Sequence, residues 1–152
     1  MKSAYYTAVV TNTYRMAIDS YLSDNYSYDP DWYRELESVS HRDYATGYYF
    51  SDSHTDANLS STTGYIKDKA YLCMVLAYDE ERGLALCGQR NKMKRGDSVE
   101  ILTPGSVGRA YSVTELYDTE GNPIESTPHP YMQFYMKVDR PVKEGDIIRA
   151  GE

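Results

Sequence analysis

His41, Arg42 and Asp43 follow one another in the chain. A histidine beside a carboxylate can do general acid–base work. That chemistry needs the groups at one site. Consecutive residues of an extended chain point to alternate faces, so the triplet cannot converge. The reading that fits is a junction, with Arg42 bonding backbone carbonyls or a carboxylate and His41 anchoring helices to a sheet that begins at Tyr44. A ligand or partner contact is the other use open to these four residues, and none is assigned a catalytic role.

The remaining reactive side chains are scattered. His129 lies in Thr127-Pro128-His129-Pro130, where flanking prolines stiffen the backbone and can display the imidazole for a contact. His54 falls in a polar loop and reads as solvated. Nothing places the three histidines together, so no metal site is expected. Cys73 and Cys87 have no C-x-x-C spacing and lie in apolar runs, which suits buried free thiols. The two runs look like one hairpin, so a disulfide is conceivable, but a cytosolic setting argues against it. No phosphate loop, Gly-x-Ser-x-Gly elbow or His-Glu-x-x-His motif is present.

Arg90, Lys92, Lys94 and Arg95 place four cations in six residues. Such a run is ordinarily a solvated turn. With exposed tyrosines for stacking it can contact RNA. The whole chain argues the other way, because its net charge is −7 and nucleic-acid modules carry a basic face. Its aromatic content is unusual in kind, with 17 Tyr against 2 Phe and 1 Trp. Tyrosine joins an apolar ring to a hydroxyl that wants a partner, so half-buried contacts are expected. No apolar run approaches the length of a membrane span, and no signal-peptide pattern opens the chain, so the expected location is cytoplasmic.

The elements that must position these residues change character near residue 40. Residues 3–22 read as a helix, with Tyr6, Val10, Tyr14, Ile18 and Leu22 in one row and Val9, Thr13, Ala17 and Tyr21 in the next. Asp29-Pro30-Asp31 announces a second helix running to about residue 37 or 38. Beyond Tyr44 the pattern is β. Strands are expected at 46–50, 71–78, 84–89, 98–102, within 108–117, at 131–138 and from Ile147. A polar loop spans 51–61. Lys94-Arg95-Gly96-Asp97 is echoed by Lys143-Glu144-Gly145-Asp146, a Gly-Asp turn before an apolar strand in each case. The expected fold is mainly β, α+β overall: a small closed antiparallel β-barrel preceded by two helices. Closure would remove exposed edges. The division is residues 1–40 as helical linker and 41–152 as barrel.

Residues 1–6 (Met-Lys-Ser-Ala-Tyr-Tyr), Ser40 to Phe50, Gln89-Arg90-Asn91-Lys92, Gly121-Asn122-Pro123-Ile124, Pro128-His129-Pro130 and Val138 to Ile148 together resemble the C-terminal part of the U32 family of collagenase-like peptidases. The resemblance runs through nearly the whole chain. It implies a barrel similar to the second domain of translation factors. It also implies that a larger upstream domain carries the active site, so no catalytic residue transfers here. Relatives are described as peptidases or as hydroxylation proteins for RNA or quinone precursors. Some use an iron–sulfur cluster, which would belong to the missing domain; no cofactor is expected in this chain. The implied role is an accessory module that positions substrate or partner for that domain. A stand-alone RNA-contacting module is the alternative, and intrinsic hydrolase activity a third possibility. The implied partners are the upstream domain and a protein or RNA substrate, with no membrane. The apolar helix stripe would be left uncovered in a fragment, which favours a homodimer or a helix folded back on the barrel.

Overall fold

The computed structural model describes residues 2–50, 52 and 69–151. Two helices, α1 (Ala4–Leu22) and α2 (Asp31–Glu37), precede eight strands. The strands are β1 (Tyr71–Asp79), β2 (Leu84–Gln89), β3 (Ser98–Leu102), β4 (Arg109–Ser112), β5 (Leu116–Tyr117), β6 (Pro123–Ile124), β7 (Gln133–Lys137) and β8 (Ile147–Ala150).

Helix α1 starts where Ser3 accepts a hydrogen bond from the Tyr6 backbone N–H at 3.1 Å. This satisfies one of the donors a helix start leaves open. At α2, Asp29 Oδ1 accepts from the Asp31 N–H at 2.9 Å, so the capping expected there is present. Helix α1 buries only one edge of the broad stripe expected, the row of Val9 and Thr13, extended to Tyr5. Tyr5, Val9 and Thr13 are buried, whereas Tyr14, Ile18 and Leu22 are exposed. The buried row is one residue off the most apolar row. Only the N-terminal half of the helix is folded back on the sheet.

All eight strands form one antiparallel sheet in the order β4-β3-β8-β1-β2-β7-β5-β6. The sheet curls into a half-barrel. Its linear order begins at β4 and ends at β6, and no ladder joins the two among the described residues. A bridge between Lys94 and Ser126 brings the segments next to β3 and β6 together. The curl encloses Cys73, Val75, Cys87, Val99, Ile101, Phe134, Met136 and Ile148. Both cysteines are free and buried. Burial pushes the Cys73 thiol upward, so it stays protonated and unreactive.

Strands β3 and β8 are buried on both faces. Alternation sends Val99, Ile101 and Ile148 into the curl, and Glu100, Leu102, Ile147 and Arg149 to the outer face. There α1 covers them, and Tyr5, Val9 and Val39 close a second cluster with Leu102 and Ile147.

The repeated turn is real. Lys94 N–H donates to Asp97 Oδ2 at 2.8 Å, and Lys143 N–H to Asp146 Oδ2 at 2.9 Å. Gly96 and Gly145 have φ of 83° and 91°, a region that favours glycine. The expected strand at 46–50 is absent. Gly47 and Tyr48 take φ of 63° and 69°, which breaks an extended run, and the sheet begins at Tyr71 rather than Tyr44. His54 and the rest of the 51–61 loop except residue 52 lie outside the described residues.

Candidate functional site

Two constellations stand out, one buried and one exposed. The buried one centres on Arg149, on the outer face of β8 and 1% exposed. Its Nη1 and Nη2 grip the two oxygens of Glu35, each at 2.7 Å. Its Nε donates to Glu100 Oε2 at 2.8 Å, and Nη1 donates to Ser38 Oγ at 2.8 Å. Lys69 pairs with the other oxygen of Glu100. Tyr5 of α1 joins through its hydroxyl, 3.2 Å from Ser38 Oγ. Two cations and two carboxylates thus balance at the contact of α1, α2, β3 and β8. Such groups are tolerated in an interior only when paired and hydrogen-bonded.

Gly108 completes the arrangement. Its N–H donates to Glu35 Oε1 at 2.9 Å. A Cβ there would lie 2.5 Å from Arg149 Nη2 and 2.6 Å from Glu100 Oε2, so only glycine lets the backbone approach. Burial alone would lift the Glu100 carboxyl, but the hydrogen bonds from Lys69 and Arg149 outweigh it and hold it below the usual range. At Arg149 burial opposes the charge, and Glu35 more than restores it. This cluster holds the molecule together and has no group free for chemistry.

The exposed constellation is a rim built from the loops after β2 and after β6. Thr127, fully buried, stitches them together. Its Oγ1 accepts from the Met93 N–H at 3.0 Å, its N–H donates to Met93 O at 2.9 Å, and its carbonyl accepts from Gln89 Nε2 at 3.0 Å. On this base Arg90 lies over the Tyr131 ring, 5.5 Å from guanidinium carbon to centroid. Tyr131 is 75% exposed and takes φ of 60°. Arg95 is occupied by Glu125 at 2.8 Å and by the Thr114 carbonyl at 3.0 Å. Arg90, Lys92 and Lys94 have no carboxylate partner among the described residues. His129 is exposed in the same loop, and its carbonyl accepts the Met132 N–H at 3.3 Å.

The His41-Arg42-Asp43 triplet lies elsewhere. The His41 ring stacks on Tyr44, centroids 4.7 Å apart and 8° from parallel, and its Nδ1 is 2.8 Å from Arg42 O. Tyr44 reaches back to α2 through its hydroxyl, 2.9 Å from Leu36 O. Arg42 and Asp43 are exposed. The triplet thus lies at the foot of α2; Glu35, Ser38, Lys69, Glu100 and Arg149, none of which the sequence singled out, tie that helix to the sheet. Among the described residues no group of three His, Cys, Asp or Glu could hold a metal. No described helix is long and apolar enough to cross a membrane.

A third surface belongs to the helices. Tyr14, Tyr26, Tyr28 and Tyr33 are exposed around a cleft of about 260 Å³ between α1 and α2 that Trp32 and Leu36 also line.

Comparison with known proteins places these features. The model of the peptidase family U32 C-terminal domain matches residues 67–149, and that of peptidase family U32 matches residues 1–59. The tRNA hydroxylation protein P1 of Bacillus subtilis is 28% identical over the whole chain, which spans 36% of that protein. The tRNA hydroxylation protein P of Haemophilus influenzae is 33% identical over 68% of the chain, covering 22% of that protein. The chain therefore spans about a third or less of the curated relatives it matches. A crystal structure of the C-terminal domain of a U32 peptidase of Geobacillus thermoleovorans is 30% identical with a TM-score of 0.51. It covers 54% of this chain and 92% of its own. With more than half its residues matched by that domain's model, the chain belongs to peptidase family U32 and carries the family's C-terminal domain.

Proposed function

We propose that the chain is the non-catalytic accessory part of a larger U32 protein, in which it holds substrate or partner for a catalytic domain upstream. The parent activity is of the RNA-hydroxylation type, as the names of the relatives suggest, or a peptidase activity. Any iron–sulfur cluster would belong to that upstream part, and the cytoplasm is its place of work. The observation that carries this reading is the split character of α1. Its first half is sealed to the sheet, while Tyr14, Ile18, Tyr21 and Leu22 stay exposed within the residues matched by the U32 model at 1–59. A soluble chain that leaves such a patch uncovered has a partner for it, and the remainder of the same U32 domain fits by continuity. In this reading the curled sheet acts as a barrel-like platform, and residues 1–40 are the end of the upstream domain.

The test is the mass of the native product in its own cell. The expected finding is a polypeptide well above 17.4 kDa whose reading frame runs into Met1 from a U32 domain. A native 17.4 kDa product would overturn the accessory reading and favour a stand-alone module or a homodimer through the same helix face.

A further inference from the structure

Tyr131 is a large aromatic residue in the left-handed backbone region with most of its surface in water. That conformation is costly for a bulky residue and persists only where the surroundings impose it. The Thr127 stitching and the preceding Pro130 hold the loop here, yet the ring stands mostly in water. Among the described residues the Arg90 guanidinium lies over the ring and covers at most one face. Lys92 and Lys94 stand on the adjoining loop with ammonium groups that pair with no carboxylate among the described residues, in a chain that is otherwise acidic. A rigid, displayed ring beside unneutralised cations is the arrangement that takes a flipped-out base and its phosphates, since any base offers a π-face and the phosphates match the charge.

We propose that this rim binds an unpaired nucleotide of an RNA loop, with Tyr131 as the stacking surface, Arg90 steadying the ring, and Lys92 and Lys94 contacting phosphate. The assignment rests on the accessory reading above and names the substrate class for it. The acidic remainder of the surface repels RNA and so confines it to the rim.

The test is fluorescence anisotropy of a labelled RNA stem-loop with an unpaired loop, titrated with the full 152-residue chain at low salt. Binding is expected to weaken about tenfold or more in Tyr131→Asn and to stay within about twofold in Tyr131→Phe, which keeps the ring. Asparagine is chosen because it tolerates positive φ, so the loop keeps its shape; circular dichroism verifies this. Lys92→Gln should lower the slope of log affinity against log salt by about 0.7. Absence of binding by the unaltered chain, or equal binding by Tyr131→Asn, overturns the proposal. Tyr131-dependent binding of a protein without RNA binding also overturns it and assigns the rim to a protein contact. A native product above 17.4 kDa with no RNA binding would fell this inference and leave the accessory reading standing.

Discussion

Arg149 spends its guanidinium N–H groups on Glu35 of α2, on Ser38 just beyond that helix and on Glu100 of β3. Its replacement by methionine roughly keeps the volume and leaves the Glu35 carboxylate out of water without its cation, with Glu100 held by Lys69 alone. The expected loss is about 3–5 kcal/mol, read as a lower urea midpoint; a loss under about 1 kcal/mol would show that the cluster is solvated. The pH dependence follows from Glu100. Its carboxyl is held below the ordinary 4.5, so its contribution is complete above the unfolded value and is lost as pH falls through the folded one. Stability should therefore be level just above this range and drop on acidification below 4.5, with a smaller drop in Glu100→Gln. None of this was legible in the sequence. Glu100 is the polar residue between Val99 and Ile101 of an alternating strand, with nothing in the sequence to pair it, and Glu35 and Arg149 lie 114 residues apart. The one available signal was a charge directly after Ile147-Ile148, in a strand otherwise apolar. Cys73 and Cys87, by contrast, were readable as buried thiols from their apolar neighbours alone.

At the level of elements, periodicity located the helices and most strands, and β3 was bounded correctly because Val99 and Ile101 alternate so clearly. It did not show which row of α1 turns inward. Tyr6, Val10 and Tyr14 are more apolar as a set, but Tyr5 supplies a hydroxyl that reaches Ser38 and a ring that stacks on Tyr71 at 5.6 Å. A polar partner that forms only in the fold decided the rotation of the helix. Val9→Ala should accordingly cost about 1.5–3 kcal/mol, whereas Tyr14→Ala should stay within about 0.5 kcal/mol. Chemical denaturation of the two variants side by side checks the assignment, and a reversed order would refute it. The strand expected at 46–50 failed for a local reason. Its aromatic composition favours β structure, but the positive φ at Gly47 and Tyr48 turns the chain before a ladder can start.

The whole molecule combines a curled sheet with a helical pair that the family models treat separately. The boundary between the matched regions falls between residues 59 and 67, whereas Glu35 on one side is clasped by Arg149 on the other. Far-ultraviolet and near-ultraviolet circular dichroism should therefore show one coincident unfolding transition in the unaltered chain. Glu35→Gln should pull the two signals apart, because the helices then lose their charged tie to the sheet. The mainly β class was legible from the strand spacing, and the family from segments such as Ser40 to Phe50 and Val138 to Ile148; closure of the barrel was not borne out, and the tie between helices and sheet was not legible, since it exists only in three dimensions. Gly108 carries the last consequence. Exchange of residues 67–149 for the matching stretch of a relative transplants Gly108, Glu100 and Arg149 together, but it leaves Glu35 to the host. The graft will take only in hosts that have an acid at that helix position, so the module's heritable unit is longer than its sheet.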